Sequence, residues 1–534
     1  MKNKIIIIIV LLITLGACNI EEQIYDEALG ENLVGNASDE NLIAPVYASL
    51  RAFYGHRFYF ALQCYTSDEA MLPTRINDWY DGGTFQELQL HSWTPDHSYV
   101  KRTWNELMGG IARSLQAIEF LDDGSSTEAE AIALLSFNMM AALDLYGQVP
   151  YRDINNIDFN TDPEILQGQE AIDMIIANLN VALPNLPNGP STVRFTKDAA
   201  KSLLARLYLN KAVYTDRYAS SFNFDNADMQ KVIDYTTEVI NSGKYQLETD
   251  DYFTMFDPDN ENHKEIIFSV KNEVTMSVLP SGNGISYTTT NSMSRGLFLT
   301  PSTKGSDAGC TLPEFLATWD TSDPRFYKEN YPNQEGFVAP EDYKLNRGFL
   351  VGQQYGAKRA ADGSFVTDEN GNIEIVAIRS TRDQSLANHT PEVKLVATSH
   401  SSGVRITKWD VDLSVDNKRY SGVDIPIFRL ADLYLMRAEA KLRAGNGDAL
   451  VDINAVREAR KSGFGLSSAT LQDVLNERGY EFYWEFHRRT DQIRFGKWED
   501  SWTEKSSSDV NKRLFPIPPE SITVTPGLDQ NSGY

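Results

Sequence analysis

The stretch from Asp424 to Trp498 constrains the fold more than any other part of this chain. Small and apolar side chains recur in it at i, i+4, i+7 and i+11, the spacing of one helix face, at Ala431, Leu435, Ala438 and Leu442. This spacing predicts a helix over about 428–444. Gly445 and Gly447 follow directly, and glycine is the residue expected just past a helix end.

A second helix follows after a very short turn. Asn446 or Asp448 supplies its N-cap, and three apolar residues share one of its faces, namely Ala449, Ile453 and Val456. A connection this short makes the two helices antiparallel neighbours, in a unit that resembles a tetratricopeptide repeat. Such a unit cannot bury its own apolar face, so we expect earlier helices to stack on it.

A third helix is expected to begin near Thr470, because Thr470 and Asp473 form the T-x-x-D pattern of a capping box. Its later part carries a dense charged run, made of Glu477, Arg478, Glu481, Glu485, Arg488, Arg489, Asp491 and Arg494. Two of these acids could serve as a general acid and base, but pairs arise easily by chance among 74 Asp and Glu residues. Since Glu485 and Arg489 stand at i, i+4, we predict a structural network of salt bridges instead.

Composition and missing motifs narrow the function classes. The chain has 534 residues, 42% of them hydrophobic, and a formal net charge of -25, which argues against binding to nucleic acid or to anionic lipid. His91 and His97 are not accompanied by metal-ligand spacing, so we expect no metal site. The sequence also lacks a nucleophile elbow, a phosphate-binding loop and a dinucleotide fingerprint, and we expect no cofactor.

The N-terminus predicts export and lipid attachment. Residues 1–17 combine two lysines, an apolar run and small residues, which is typical of a signal peptide. The sequence around Cys18 resembles a bacterial lipobox, so we expect cleavage before Cys18 and its acylation, followed by a polar tether over residues 18–37. An ordinary secreted protein in which Cys18 is incidental is the alternative. Cys64 and Cys310 then remain; a disulfide between them is possible but not implied, and we interpret both as packing residues.

We interpret residues 38–534 as one structural unit, because no low-complexity linker divides them. It is predicted to be helical over 38–243 and 424–498, to carry an irregular insertion with short strands over about 244–423, and to end in an extended strap over 499–534. Within the first part, helical patterns cover about 38–53, 98–121, 127–146, 169–183, 197–213 and 227–242. Residues 63–100 are predicted to be an aromatic-rich loop.

Several separated segments, taken in order behind the lipobox, resemble the SusD/RagB family of Bacteroidetes outer-membrane lipoproteins. They include Leu143–Tyr151, Leu204–Leu209, Asp424–Asp432, Leu435–Glu439, Arg488–Gly496, Phe515–Pro518 and Gln530–Tyr534. The resemblance implies a mainly α fold of tetratricopeptide-like helix pairs, with an irregular insertion that shapes a ligand surface. It also implies a lipid-anchored protein on the cell exterior that captures a glycan and delivers it to a SusC-like TonB-dependent transporter.

The candidate ligand site is the segment Arg75–Gly83, because sugars need a flat aromatic surface with polar groups at its edge. Trp79 or Tyr80 is expected to stack on a sugar ring, while the neighbouring polar residues bond hydroxyls, namely Arg75, Asn77, Asp78 and Asp81. The resemblance places this segment, and the insertion around Tyr287, near the family's ligand face. The alternative is that Trp79 and Tyr80 only pin the loop to the body.

Two other functions stay open at this point. A surface glycoside hydrolase is compatible with the absence of short motifs, since glycosidase acids carry no short signature. A peptide ligand in place of a glycan is the second alternative, as in the RagB branch of the family. We expect a binding protein rather than an enzyme.

The lipobox generates a first testable prediction. Cys18→Ala should yield a folded protein that no longer partitions with membranes, because we expect the lipid on Cys18 to be its only anchor. Membrane fractionation of cells that produce the two forms measures this. Full retention of the variant in the membrane fraction would contradict the prediction.

Overall fold

Helices dominate the computed structural model, which describes residues 38–273, 288, 291–300, 303–414, 421–463 and 465–534. The predicted leader and tether, with Cys18, lie outside these residues, and so does Tyr287. The described part contains 14 α-helices. They are α1 Asp39–Phe53, α2 Tyr59–Cys64, α3 Thr84–Leu90, α4 Ser98–Phe120, α5 Ser126–Tyr146, α6 Gly168–Ala182, α7 Lys197–Thr215, α8 Asn226–Ile240, α9 Pro313–Ala317, α10 Leu430–Ala444, α11 Ala449–Ala459, α12 Leu471–Phe482, α13 Arg488–Arg494 and α14 Pro519–Val524.

The strands are short and form small antiparallel sheets of two or three strands. They are β1 Ala70–Met71, β2 Gln148–Tyr151, β3 Glu164–Gln167, β4 Ile266–Val270, β5 Cys310–Thr311, β6 Tyr327–Lys328, β7 Gly336–Val338, β8 Arg347–Leu350, β9 Gly352–Gln353, β10 Tyr355–Ala357, β11 Ile373–Ala377, β12 Asn388–His389, β13 Arg405–Thr407 and β14 Ile425–Arg429. The sheets are ordered β1-β5, β2-β3, β14-β4, β12-β9, β10-β11-β7 and β13-β8-β6. The expectation of a mainly α fold with a region of short strands is confirmed.

The helices before and after the insertion form one continuous stack. α4 packs on α5, α5 on α6, α6 on α7, and α7 on α8. α8 then packs on α10, which also contacts α11 and α12. Earlier helices therefore cover the apolar face of the C-terminal pair, α10 and α11, as expected for a pair that cannot bury this face by itself.

The signals that predicted α10, α11 and α12 are confirmed in detail. Gly445 adopts the left-handed conformation after α10, with φ of 61°, and the Asp448 side chain accepts a hydrogen bond from the Leu450 amide, 3.0 Å away. Thr470 and Asp473 form a complete capping box at α12. α10 begins two residues later than predicted, because Phe428 belongs to β14.

The sequence did not predict four short helices: α2 and α3 before the insertion, α9 within it, and α14 in the segment 499–534 that was expected to be extended. α3 lies inside the segment 63–100 that was predicted to be loop, and it buries Phe85 and Leu88. With seven residues it is less than two turns long, so it offers too few positions for a periodic pattern.

Helix α5 is long and apolar enough to cross a membrane by length and composition. All of its most apolar window is buried inside the fold, between α4, α6 and α7. This is the environment of a core helix, whose apolar residues face other protein all round.

The two ends of the insertion meet. β4 and β14 pair in an antiparallel register that places Ile425 opposite Val270 and Arg429 opposite Ile266. The chain therefore leaves the helical stack and returns to it at the same place, which allows the long irregular segment to be added without separating the helices on either side.

A network of buried ion pairs joins these parts, and Glu481 of α12 lies at its centre. Its carboxylate contacts three guanidinium groups: Arg460 at 2.6 Å, Arg325 at 2.9 Å, and Arg429. Burial alone would raise the pKa of Glu481, but Arg460, Arg429 and Arg325 together hold it well below its ordinary value. The predicted network of salt bridges is confirmed, and it lies in the interior of the fold.

The specific pair predicted within this run was wrong. The helix ends at Phe482, so Glu485 and Arg489 do not lie one turn apart. Glu485 pairs instead with Arg429 and Lys408, and Arg489 pairs with Asp144. Residues between the two helices adopt positive φ angles, 59° at Trp484 and 67° at Phe486, which an uninterrupted helix does not allow.

Cys64 and Cys310 are both buried and both free. They are therefore not bonded to each other. Cys64 is part of the main hydrophobic core, and Cys310 packs in a smaller cluster with Met71 and Leu312.

The network generates a prediction about stability. Glu481→Gln keeps the shape of the side chain but leaves three buried arginines without their shared charge, so we expect a loss of about 3–5 kcal/mol in the free energy of unfolding. Urea denaturation measures it. Glu458→Gln, at an exposed position of α11, is the control and should change stability by less than about 0.5 kcal/mol. Equal stability of the two variants would contradict the central role of Glu481.

Candidate functional site

The candidate site is built on a loop whose backbone is held in an unusual conformation. We call residues Arg75–Gly83 the aromatic loop. Positive φ angles occur in it at Asn77 (58°), Trp79 (59°), Asp81 (41°), Gly82 (68°) and Gly83 (86°). Left-handed backbone is costly for residues with a Cβ atom, and most of all for large side chains. Such conformations persist only where the surroundings enforce them, and they cluster at functional sites.

A tight turn starts the loop. The Arg75 amide donates to the Asp78 carbonyl and the Asp78 amide donates to the Arg75 carbonyl, both at 3.0 Å. The positive φ of Asn77 fits the third position of such a turn, where asparagine is tolerated better than most residues. The Ile76 amide also donates to the Thr398 carbonyl at 3.1 Å, which ties the turn to the insertion.

Arg75 does not contribute to the surface of this loop, which corrects the prediction that it bonds a ligand. Its side chain is fully buried, and its guanidinium donates to four backbone carbonyls, those of Asp307, Ala308, Ser399 and Ser402, at 2.6–2.8 Å. Burial, with Arg405 nearby, lowers the pKa of Arg75 to about 9. Arg75 therefore fastens the loop to the insertion, and no donor is left to face solvent.

The two aromatic residues have different environments. Trp79 is half-buried against the main core, and its indole Nε1 donates to the Ser306 carbonyl at 2.7 Å. Tyr80 has 64% of its surface exposed, the highest value among the large aromatic residues that the structure describes as exposed. Trp79 pins the loop while offering its remaining surface, and Tyr80 presents a free ring beside it.

The polar residues of the loop are partly engaged. Asp78 accepts a hydrogen bond from the Trp79 amide at 3.1 Å, and its other oxygen lies between the guanidinium groups of Arg295 and Arg382. Asp81 accepts a hydrogen bond from the Tyr99 hydroxyl and lies 3.3 Å from Arg57. Burial, and then the bond to Asp81, raises the pKa of Tyr99.

Asn77 is exposed, so its amide group faces solvent at the rim of the loop. One short segment thus holds the remaining predicted site residues, and their roles toward a ligand stay predictions. They are Asn77, Asp78, Trp79, Tyr80 and Asp81. Tyr287 falls outside the described residues, so its position relative to this segment stays a prediction as well.

Sequence reasoning missed the residues that the insertion brings to the loop. Arg295 and Arg382 meet Asp78, and the segment 395–400 runs beside 74–76 through bonds such as Thr74 amide to Leu395 carbonyl, 2.9 Å. These partners lie more than 200 positions away along the chain, where no local pattern links them. The sequence did offer a signal for the turn that carries Arg382. Asp383 and Ser385 are residue types that turns favour, so a hairpin tip could have been predicted over 381–385.

The histidines singled out in the sequence have structural partners. His91 is buried, with Nε2 3.0 Å from the Thr66 carbonyl, and His97 caps α4 by accepting a hydrogen bond from the Val100 amide. Across the described ranges of the chain, no group of three or more His, Cys, Asp or Glu side chains is placed to hold a metal ion.

Two family models match the chain. One, described as the SusD family, matches residues 213–534, and the other, described as starch-binding associating with outer membrane, matches residues 25–209. The starch-binding protein SusD of Bacteroides thetaiotaomicron is 26% identical over 483 residues, which cover 85% of this chain and 82% of that protein.

Solved structures share the fold. A SusD superfamily protein from Parabacteroides distasonis is 20% identical with a TM-score of 0.67, over 93% of this chain and 98% of that one. Surface glycan-binding protein A from Bacteroides thetaiotaomicron, in complex with laminarihexaose, is 19% identical with a TM-score of 0.63, over 92% of this chain and 98% of that one.

Proposed function

This chain belongs to the SusD family, and from that premise we propose that it is a glycan-binding lipoprotein of the outer membrane. It captures an oligosaccharide or polysaccharide on the aromatic loop, on the outside of the cell. It then delivers that ligand to a SusC-like TonB-dependent transporter in the same membrane.

The observation that carries the proposal is the exposed ring of Tyr80 beside the pinned indole of Trp79. Aromatic faces pack against the apolar C–H faces of sugar rings, and the polar groups of Asp78 and Asn77 at the rim can bond hydroxyls. Because Arg75 and Trp79 already fix the backbone, little conformational entropy is lost when a ligand binds.

The relatives support the same ligand class. One is named a starch-binding protein, and one structural neighbour holds laminarihexaose. Their names describe binding rather than turnover, which favours a binding protein over the glycoside hydrolase considered from the sequence. The acids of the charged run also disfavour an enzyme built on them, because Glu477, Glu481 and Glu485 are buried in ion pairs.

The ligand site generates a prediction about affinity. Tyr80→Ala should weaken glycan binding by about 1–3 kcal/mol, as for aromatic anchors at other interfaces, and should leave the melting temperature unchanged because the ring is mostly exposed. Trp79→Ala should weaken binding by a similar amount but also lower the melting temperature, since it removes core packing and the bond to Ser306. Calorimetry and thermal melting measure the two effects.

Phe337→Ala is the matched control, since Phe337 is an aromatic residue of the insertion with 56% of its surface exposed. It should leave affinity unchanged. Unaltered affinity in both loop variants would place the ligand elsewhere, and release of new reducing ends from the glycan would favour the hydrolase. Binding of peptides but not of glycans would favour the other alternative.

The transporter partnership generates a further prediction. Attachment of both proteins to one membrane raises their effective concentration, so modest contacts suffice, and the stacked helices offer a broad surface for them. Pull-down of the tagged native protein in mild detergent should recover a TonB-dependent transporter, identified by mass spectrometry. Recovery of the protein alone across several detergents and growth conditions would count against the partnership.

A further inference from the structure

Two arginines share one carboxylate beside the aromatic loop. Arg295 Nη2 lies 2.7 Å and Arg382 Nη2 lies 3.0 Å from the same oxygen, Oδ2 of Asp78. Within the described part of the chain, neither arginine has a second carboxylate at ion-pair distance. One negative charge therefore faces two positive charges next to Trp79 and Tyr80.

Arg382 is held in place at the tip of a small hairpin. Arg379 and Leu386 pair across its base, and the Ser380 amide donates to the Ser385 carbonyl at 2.9 Å. The hairpin approaches the neighbouring chain closely, since a Cβ atom added at Gly296 would lie 2.0 Å from the Arg379 carbonyl oxygen. The Arg382 side chain nevertheless keeps 46% of its surface exposed.

The charges around this pair do not cancel. Arg379 is exposed, and none of the carboxylates that the structure describes lies at ion-pair distance from it. Asp383 is the one exposed acid in the hairpin, and its Oδ1 already accepts hydrogen bonds from the Ser385 amide and hydroxyl, at 3.0 and 2.7 Å. The hairpin therefore adds two arginines and one aspartate to the site.

The layer beneath is also rich in positive charge. The buried guanidinium groups of Arg75 and Arg405 both attract a single carboxylate, that of Asp307. Burial alone would raise the pKa of Asp307, but His400, Arg405 and Arg75 help to keep it low. With the Arg57–Asp81 pair at the same loop included, this place has six arginines and four aspartates, a formal excess of two positive charges. The arginines are Arg57, Arg75, Arg295, Arg379, Arg382 and Arg405, and the aspartates are Asp78, Asp81, Asp307 and Asp383.

This local excess stands out in a chain whose formal net charge is -25. Because charges further away than about 8 Å are largely screened at physiological ionic strength, a ligand on the aromatic loop responds mainly to the nearby arginines. Arginine also presents a planar fork of donors that can bond two oxygens of a carboxylate or sulfate group at once. A sugar hydroxyl has one oxygen and cannot form this paired contact.

We propose that the aromatic loop selects an anionic glycan, one whose sugars carry carboxylate or sulfate groups. The acidic group binds the exposed part of the Arg382 guanidinium, while Tyr80 and Trp79 pack on the sugar ring. Asp78 shares its charge between Arg295 and Arg382, which orients the second guanidinium without neutralising it. This inference rests on the proposed function, since it names the ligand class of the same site.

Titration calorimetry with three kinds of oligosaccharide tests the proposal: an oligogalacturonate with carboxylates, a sulfated galactan oligosaccharide, and neutral laminarihexaose. At low ionic strength, at least one anionic probe should bind about tenfold more tightly than the neutral one. Added salt should reduce that advantage. The two anionic probes distinguish carboxylate from sulfate as the recognised group.

Variants of Arg382 sharpen the test. Arg382→Gln should weaken binding of the preferred anionic probe by about tenfold and leave laminarihexaose unaffected, whereas Arg382→Lys should lose less, because it keeps the charge. Lys358→Gln is the matched control: Lys358 is also 46% exposed and also paired with a carboxylate, that of Glu374, elsewhere in the insertion. It should bind every probe as the unaltered protein does.

Laminarihexaose binding as tightly as both anionic probes, or unchanged affinities in Arg382→Gln, would overturn the proposal. If the neutral binding is lost in Tyr80→Ala, the glycan site itself stands and only the charge preference is wrong. Failure of all three probes to bind would overturn this inference and would also count against the proposed function.

Discussion

The contacts of Glu481 with three buried arginines are the constraint on which the rest of the structure depends. Each arginine comes from a different part of the chain: Arg325 from the insertion, Arg429 from the end of β14, and Arg460 from the end of α11. A buried charge without its partner costs several kcal/mol, so these segments have to assemble together or not at all. The irregular insertion is therefore part of the core that the helices form, and not an appendage on them.

The network also connects the core to the aromatic loop. Lys408 donates to the carbonyls of Glu481 and Tyr483, at 3.0 and 2.9 Å, and pairs with Glu485. Lys408 directly follows β13, whose first residue, Arg405, donates to the His400 carbonyl beneath the aromatic loop. The short strand β13 thus connects the buried ion pairs directly to the residues that support the aromatic loop.

Sequence reasoning succeeded where the determinant is local. The six longer helices before the insertion were placed within two residues of their observed ends, because a 3.6-residue period and its capping residues are set by neighbouring positions. It failed where distant segments decide. Arg75 was taken for a surface donor, yet four carbonyls from residues 307–402 converge on it, and Glu485 was paired along a helix that ends at Phe482. The arginines that contact Asp78 were not predicted, because they come from residues 295 and 382.

The same long-range contacts explain why an unfavourable loop backbone persists. Left-handed conformations at Asn77, Trp79 and Asp81 each carry a conformational cost, roughly 1–3 kcal/mol for strained positions. Arg75 offsets that cost with four charge-assisted bonds, and the Trp79 indole adds a fifth bond to Ser306. The stabilising contacts all lie on the inner side of the loop. The outer side is left with Tyr80, the remaining face of Trp79 and a rim of charged groups, on a backbone that is fixed before anything binds to it.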